Sequence, residues 1–540
     1  MKNSNLVKNA SILMIASIVS RIIGLLYRRP LAAAIGSVGM GYYGFASGLY
    51  SILLLISSYS IPMAISKIVA EKNAKREYRS AYKTFRGALL YAVIVGGVTA
   101  LICWFGGRFL LPANQQNALP ALRALAPTIF LSAILGVYRG YFQAHRTMTP
   151  TSVSQILEQI MNAVVSVVAA WLLIRVMAPD GGTREAVVGA MGGTIGTGAG
   201  VVIGLLFMIF VYQVNRGYFR KRQERDTHRE VEAYSDILKT IVLMITPIIF
   251  TSFIYNCSSY LNSFLYSSIQ GWHQIDSDLI AANYGEYINY YIPILGIPLA
   301  LSSASTSAMM PEVAGRYAVG EVQDAVREVN QSIRLSMFIC IPCMVGLTVL
   351  SYPIMGLLFP TSTDLAAKLL LAGSVFAVTD SFSIITGGAL QAIGQQRRAL
   401  INAAVSLGVN LVSLALMLAA APVLDIYAVM LANILFSVVC CVLNVQSMRK
   451  YLQYRGEIRK TYMEPFLASA LMGAAAYGIY QGFFLLTKRP SIALIVSVLL
   501  AVILYVILYV VISRTKEDEM LRFPMGRHIV KILKKLRVYR

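Results

Sequence analysis

Three arginines, Arg21, Arg28 and Arg29, lie inside the first hydrophobic stretch of this chain, NASILMIASIVSRIIGLLYRRPLAAAIG. An arginine at the centre of a bilayer costs at least about 2.5–3.5 kcal/mol, so such a residue usually faces a polar interior or a ligand. Arg21 and Arg28 are spaced to share one helix face, and Gly24 between them leaves room for a bulky group. Two fixed cations around a gap suit an anion such as a phosphate. Arg28 and Arg29 also have a plainer reading as residues that snorkel to an interface; Arg21 lies too deep for it.

Acidic and polar residues add a second set. Glu158, in SQILEQIMN, and Asp380, in AVTDSFSII, fall within hydrophobic stretches. A buried carboxylate must be paired, protonated or bound to a cation. Each is a candidate counter-ion for Arg21 or Arg28, or a coupling site for H⁺ or Na⁺; the alternative is a neutral acid that bonds one helix to another. Asn256, Asn262, Tyr287 and Asn289 are candidate sugar contacts, because aromatic faces and amides suit sugars. Tyr284, Tyr287 and Tyr291 form one helical stripe and Glu286, Asn289 and Pro293 another. A tyrosine belt at the membrane interface explains the first stripe more simply. Asp276-Ser-Asp278 has the D-x-D form of sugar-nucleotide transferases, yet falls on the expected external side, where nucleotide sugars are absent. All six cysteines sit in hydrophobic stretches, and Cys340-x-x-Cys343 has no partner histidines beside it. They read as small core residues, and neither a metal site nor a resident cofactor is expected.

These residues must be positioned by membrane-spanning helices. The chain has 540 residues, of which 57% are hydrophobic and 13% charged, and its mean hydropathy is +0.65. Soluble domains carry about 25% charged residues. The formal net charge of +22 does not signal nucleic acid: the basic residues fall mainly in alternate loops, and none of the basic runs is interleaved with stacking aromatics in the manner of a single-strand binder. A window of about 20 apolar residues selects about fourteen spans, at 9–35, 41–66, 87–111, 122–143, 151–176, 187–213, 238–266, 284–310, 331–352, 365–392, 400–420, 426–446, 464–486 and 492–513. Pro30 should kink the first. That first run is too long for a cleavable signal and contains Arg21.

Lysine and arginine then orient the chain. The segments 72–86, 216–225 and 449–460 and the tail ending KILKKLRVYR are basic, whereas PANQQNALP, SSIQGWHQIDSD and PTSTD contain no Lys or Arg. Basic loops stay inside, so both termini are expected in the cytoplasm. The basic tail also suits a bilayer with anionic lipids.

The chain repeats itself. Gly140, Gln143 and Ala144 after the fourth span recur at constant spacing as Gly388, Gln391 and Ala392 after the tenth, and IVAE at 68–71 is echoed by EVAG at 312–315. Two six-helix halves in the same orientation follow, a frequent build for transporters whose substrate site lies between the halves. The expected organisation is an N-terminal lobe at 1–236, a C-terminal lobe at 237–447, an extra helix pair at 448–513 and a basic cytoplasmic tail at 514–540. The fold class is all-α and polytopic.

The stretch at 20–75, with PTSVSQILEQ (150–159), ILGIPLALSSASTSAMMPEVA (294–314) and GGALQAIGQQ (387–396), resembles the polysaccharide-transport and stage V sporulation protein B group. That group lies in the multidrug/oligosaccharidyl-lipid/polysaccharide superfamily and includes MurJ-like lipid II flippases. The resemblance implies a bacterial cytoplasmic-membrane flippase with a cationic cavity, no enzyme activity, and undecaprenyl-pyrophosphate carrying a sugar as its substrate. It implies a functional arginine in S-R-x-x-G, here Ser20, Arg21 and Gly24. The family's second arginine position falls on Tyr27 here, one residue before Arg28. An aspartate that one branch carries after the first helix is missing from GMGYYGFAS, and Glu286 and Asn289 stand where a charged pair is expected in the eighth. In this group the extra helix pair lines a groove for the lipid tail. A flippase for another polysaccharide unit, a cation-coupled drug exporter and a membrane glycosyltransferase are the alternatives; the arginines argue against the drug exporter. Oligomeric state is not legible.

Overall fold

A computed structural model describes residues 16, 19–145, 147–226, 232–514 and 530–531, which are almost wholly helical. Packing divides the chain into two units, Met1–Asn289 and Tyr290–Arg540.

In the first unit, helical residues 19–26 lead through Tyr27 into α1 (Arg28–Leu54). The interruption at Tyr27 lies within a turn of Pro30, where a kink is expected from the missing N–H. Gly36, at φ 67°, breaks α1 into two helical segments. A positive φ is cheap only for glycine, and this is where the first expected span hands over to the second. A π turn at Leu55–Tyr59 joins α1 to α2 (Ile61–Ala74). Then follow α3 (Tyr78–Leu110), α4 (Leu119–Ala144), α5 (Thr149–Met177), α6 (Thr183–Val214), the short basic α7 (Arg216–Glu224), α8 (Tyr234–Trp272) and α9 (Ser277–Glu286).

The core of this unit gathers Ile65 and Val69 of α2, Phe85 of α3, Tyr141 of α4, Met208 of α6 and Ile241 of α8. Helices α5 and α6 meet along a row of glycines. A Cβ on Gly192 would lie 2.4 Å from Ala170 Cα, one on Gly196 would lie 2.1 Å from Ser166 Oγ, and one on Gly200 would lie 2.5 Å from the Glu158 carbonyl. Lipid offers no hydrophobic drive between helices, so close backbone contact through small residues takes its place. Outer helices keep their apolar faces open: only 17% of the apolar window of Thr149–Met177 is buried, against 61% for Arg28–Ala74. That exposure suits a hydrocarbon solvent.

The division between units falls at 289/290, later than the repeat alone suggests. The reason is local. A Cβ on Gly41 would lie 1.9 Å from the Ala281 carbonyl oxygen, and one on Gly285 would lie 2.6 Å from the Gly41 nitrogen. Helix α9 is thus seated directly on the backbone of α1.

The second unit holds α10 (Ile292–Ala318), α11 (Val322–Val349), α12 (Ser351–Leu358), α13 (Asp364–Gly373), α14 (Val375–Ala392), α15 (Gln396–Ala420), α16 (Ile426–Leu452), α17 (Glu464–Thr487) and α18 (Pro490–Ser513). One core joins Val313 of α10, Met337 of α11, Leu390 of α14 and Met448 of α16. A second joins Phe338 of α11 to Met472 of α17 and to Tyr505 and Tyr509 of α18. The Tyr505 hydroxyl donates to the Phe338 carbonyl at 2.7 Å. The extra helix pair is therefore fastened to α11.

Among the described residues, eleven helices are long and apolar enough to cross a membrane, or twelve if the α13–α14 pair, bent by 50°, is one span. The expected first span lies partly outside the described residues, as does the tail at 514–540 apart from Arg514, Val530 and Lys531. The expected seventh span coincides with α8.

The repeat has a physical cause. A Cβ on Gly140 of α4 would lie 2.8 Å from the Pro62 carbonyl oxygen of α2, and one on Gly388 of α14 would lie 2.2 Å from Thr306 Cγ2 of α10. In each unit the glycine lets the fourth helix of that half lie against the second. Ala144 and Ala392, matched by the repeat, are the last residues of α4 and α14. Val69 and Val313, in the weaker match, are both 0% exposed.

Candidate functional site

Arg28 opens α1, half-buried. Its Nη1 donates to the Asn289 carbonyl at 3.0 Å and, more weakly, to the Ile288 carbonyl at 3.4 Å. Those carbonyls lie in a π turn at Tyr287–Tyr291. A π turn interrupts the regular i→i+4 ladder and recurs at functional sites. Asn289 in turn donates from Nδ2 to the Met40 carbonyl at 2.8 Å. Two residues singled out separately in the sequence, an anion candidate and a sugar candidate, thus form one junction. No carboxylate pairs with Arg28 among the described residues, and its Nε is buried without a hydrogen-bond partner. The guanidinium is held by carbonyl dipoles through Nη1, and its buried Nε–H is left unused.

Arg21 and Arg29 are exposed. Gly24 faces α5, where a Cβ would stand 3.8 Å from Gln159 Oε1. Tyr27, at the family's second arginine position, is buried, and its hydroxyl meets that of Tyr43 at 3.0 Å. Asn262 is buried at 1% exposure and Tyr287 at 3%, whereas Asn256 is exposed.

The tyrosine stripe differs from expectation. Tyr284 and Tyr291 are each 1% exposed, so with Tyr287 they form no interfacial belt. Tyr284 stacks on Phe45 at 4.3 Å within the first unit, and Tyr291 donates to the Gly373 carbonyl at 2.9 Å within the second. Each is packed within its own unit, and periodicity alone does not report that.

Glu158 is paired. Its Oε2 lies 2.7 Å from Nη2 of Arg139 on α4, and Arg139 Nε donates to Ser154 Oγ at 3.0 Å. Both charged side chains keep some exposure, 15% and 22%. Arg139 was not singled out in the sequence, although the rule that flags Arg21 applies equally to it: it stands inside the expected span 122–143. Asp380, half-buried on α14, has no hydrogen bond or ion pair among the described residues. Its neighbour Ser381 bonds Ser302 at 2.8 Å and Cys340 at 3.0 Å, which places Cys340 in a buried polar contact.

Asp278 accepts from Tyr42 and, at 2.8 Å, from Thr183 Oγ1, while Asn117 Nδ2 donates to the Tyr42 hydroxyl at 3.0 Å. Both carboxylate oxygens are engaged within the protein, unlike those of a metal-bound D-x-D pair. No group of three or more acidic, His or Cys side chains able to hold a metal ion occurs among the described residues.

Comparison with known proteins follows the same line. The sequence model described as "Polysaccharide biosynthesis protein" matches residues 6–314, and the MatE model matches residues 247–416. Stage V sporulation protein B of Bacillus subtilis is 24% identical over 98% of this chain and 100% of its own length. Lipid II flippase MurJ of the same organism is 23% identical over 76% of this chain and 77% of its own. Among solved structures, an inward closed conformation of lipid II flippase MurJ superposes with a TM-score of 0.66 at 15% identity, covering 93% of this chain and 98% of that one. An inward-facing multidrug resistance MATE family transporter of the MOP superfamily gives 0.63 at 15% identity, covering 83% and 98%. The fold is that of a multi-pass transporter of this superfamily.

Proposed function

The chain belongs to the polysaccharide biosynthesis protein family, and we propose that it is a flippase that moves an undecaprenyl-pyrophosphate-linked sugar across the bacterial cytoplasmic membrane by alternating access, with both termini in the cytoplasm. Arg28 carries the reading. It has no carboxylate partner among the described residues, has a buried unused Nε, and is fixed by carbonyls of a π turn. A guanidinium so held is pre-aimed at an oxyanion. Arg21, Gly24 and Arg29 extend the anion site and exposed Asn256 meets the sugar, whereas Asn262, Tyr287 and Asn289 are buried in this conformation and would reach it only in another. The full-length similarity to stage V sporulation protein B and the partial similarity to lipid II flippase MurJ support a lipid-linked saccharide as cargo.

A cytoplasm-negative potential favours outward movement of an anion by about 2.3 kcal/mol per charge per 100 mV. Asp380, without a partner among the described residues, and Glu158 are the groups to which H⁺ or Na⁺ coupling would attach. A second reading, a flippase for another polysaccharide unit, is favoured by the family description itself.

The test is transport in proteoliposomes loaded with labelled lipid II or with an undecaprenyl-diphosphate sugar lacking the peptide. Arg28→Ala and Arg21→Ala should each slow flipping at least tenfold while the protein still inserts. Preference for one cargo decides between the two readings. Full transport of both cargoes by both variants would remove the anion site.

A further inference from the structure

The basic end of the first unit holds a cleft that the transport reading does not use. It is shallow and open to solvent, and it is lined by the ends of four helices: Asn73 of α2, Tyr78 of α3, Tyr141 of α4 with His145 just beyond it, and Phe219 and Arg222 of α7. No carboxylate lines it.

The short helix α7 is pinned there by one residue. Phe219 is 5% exposed and packs against Tyr141 at 5.1 Å and His145 at 5.0 Å. Pinning turns the rest of α7 outward, and Arg222 lies over the Tyr78 ring at 4.6 Å. Four described acids of this end are engaged elsewhere: Glu71 with Lys75, Glu224 with Arg220, Glu232 with Lys72, and Asp226 with the Arg79 backbone N–H; Glu77, next to Tyr78, does not line the cleft. Arg222 has no acidic partner among the described residues. Asn73 Nδ2, a donor in the same cleft, is buried without a hydrogen-bond partner. His145 bonds the Tyr141 carbonyl through Nδ1 at 2.8 Å. Burial, assisted by the nearby Arg222 charge, pushes the imidazole below its ordinary value.

A buried unbonded donor is costly, and a guanidinium with no counter-charge is a ready anion partner. We propose that this cleft is a phosphate-binding site, with Arg222 and Asn73 as the donors and the Tyr141–Phe219 ring pair as its floor. The ligand chemistry is a phosphate oxyanion, supplied either by an anionic lipid head group at the interface or by a soluble phosphate. The site is independent of the cargo reading and stands or falls without it.

The experiment uses the full-length protein with histidine isotope labelling. One arm titrates inorganic phosphate against chloride at constant ionic strength in lipid-stripped detergent micelles. The other compares nanodiscs of phosphatidylglycerol with nanodiscs of phosphatidylcholine. The readouts are the His145 titration by NMR and the melting temperature. An anion beside Arg222 should raise the His145 pKa and the melting temperature. Arg222→Gln and Asn73→Leu should each weaken the response at least tenfold, and Lys221→Gln, exposed on the same helix, should keep it. Should Arg222→Gln fail to fold, Asn73→Leu decides. Response to phosphatidylglycerol alone assigns a lipid head group; response to inorganic phosphate assigns a soluble ligand. Absence of response in both arms, or equal loss in Lys221→Gln, overturns the site.

Discussion

At the scale of single residues, the decisive quantity is whether a charge inside the helices has a partner. Arg139 and Glu158 have each other, at 2.7 Å and largely shielded from solvent. Removing one member of such a pair strands the other, at a cost of about 3 kcal/mol, the low end for buried pairs. Arg139→Ala should therefore lower thermal stability in detergent by that amount, and Glu158→Gln in the same chain should restore much of it. Failure of the double variant to recover would show that Arg139 is held by something other than the pair. Arg28 follows a different logic, since carbonyls of residues 288 and 289 hold it with no carboxylate paired to it. The presence of arginines in apolar stretches is legible in the sequence, because their burial cost is general. Their partners are not legible: Arg28 meets residues some 260 positions away, and no local pattern encodes that distance.

At the scale of elements, small residues decide which helices touch. The row Gly192, Gly196 and Gly200 brings α6 onto the backbone of α5. Gly192→Ala would put a methyl 2.4 Å from Ala170 Cα, forcing the helices apart at about 3 kcal/mol, the upper end of typical overpacking costs. Gly408 in α15 has nothing within 4 Å of its Cβ position. Gly408→Ala should be neutral or slightly stabilising, because alanine is the better helix former. Folded yield by size exclusion after solubilisation checks both; equal behaviour of the two variants would refute the packing argument. The same close approach accounts for the repeated glycines Gly140 and Gly388, so a short sequence echo marked a contact common to both units. Proline legibility was partial: Pro30 predicts an interruption, and one occurs at Tyr27, whereas the π turn at 287–291 had no sequence signal.

At the scale of the whole molecule, the charge pattern predicts an orientation. Cysteine placed at exposed His273 should react with a membrane-impermeant maleimide in intact cells, and cysteine at exposed Lys221 only after permeabilisation, both in an otherwise cysteine-free chain. The reverse pattern would invert the proposed direction of transport. The sequence by itself determined the solvent of this protein, its helical class, the positions of most spans and the presence of two related halves. It could do so because a bilayer demands about 20 apolar residues per crossing, a constraint written residue by residue. Only the tertiary structure decided that α8 and α9 join the first unit, that the tyrosine stripe is core, that Arg139 answers Glu158, and that Arg28 and Asn289 share one junction. Those outcomes depend on which backbones can approach within a side chain's width, and that is a property of pairs of helices far apart in the chain.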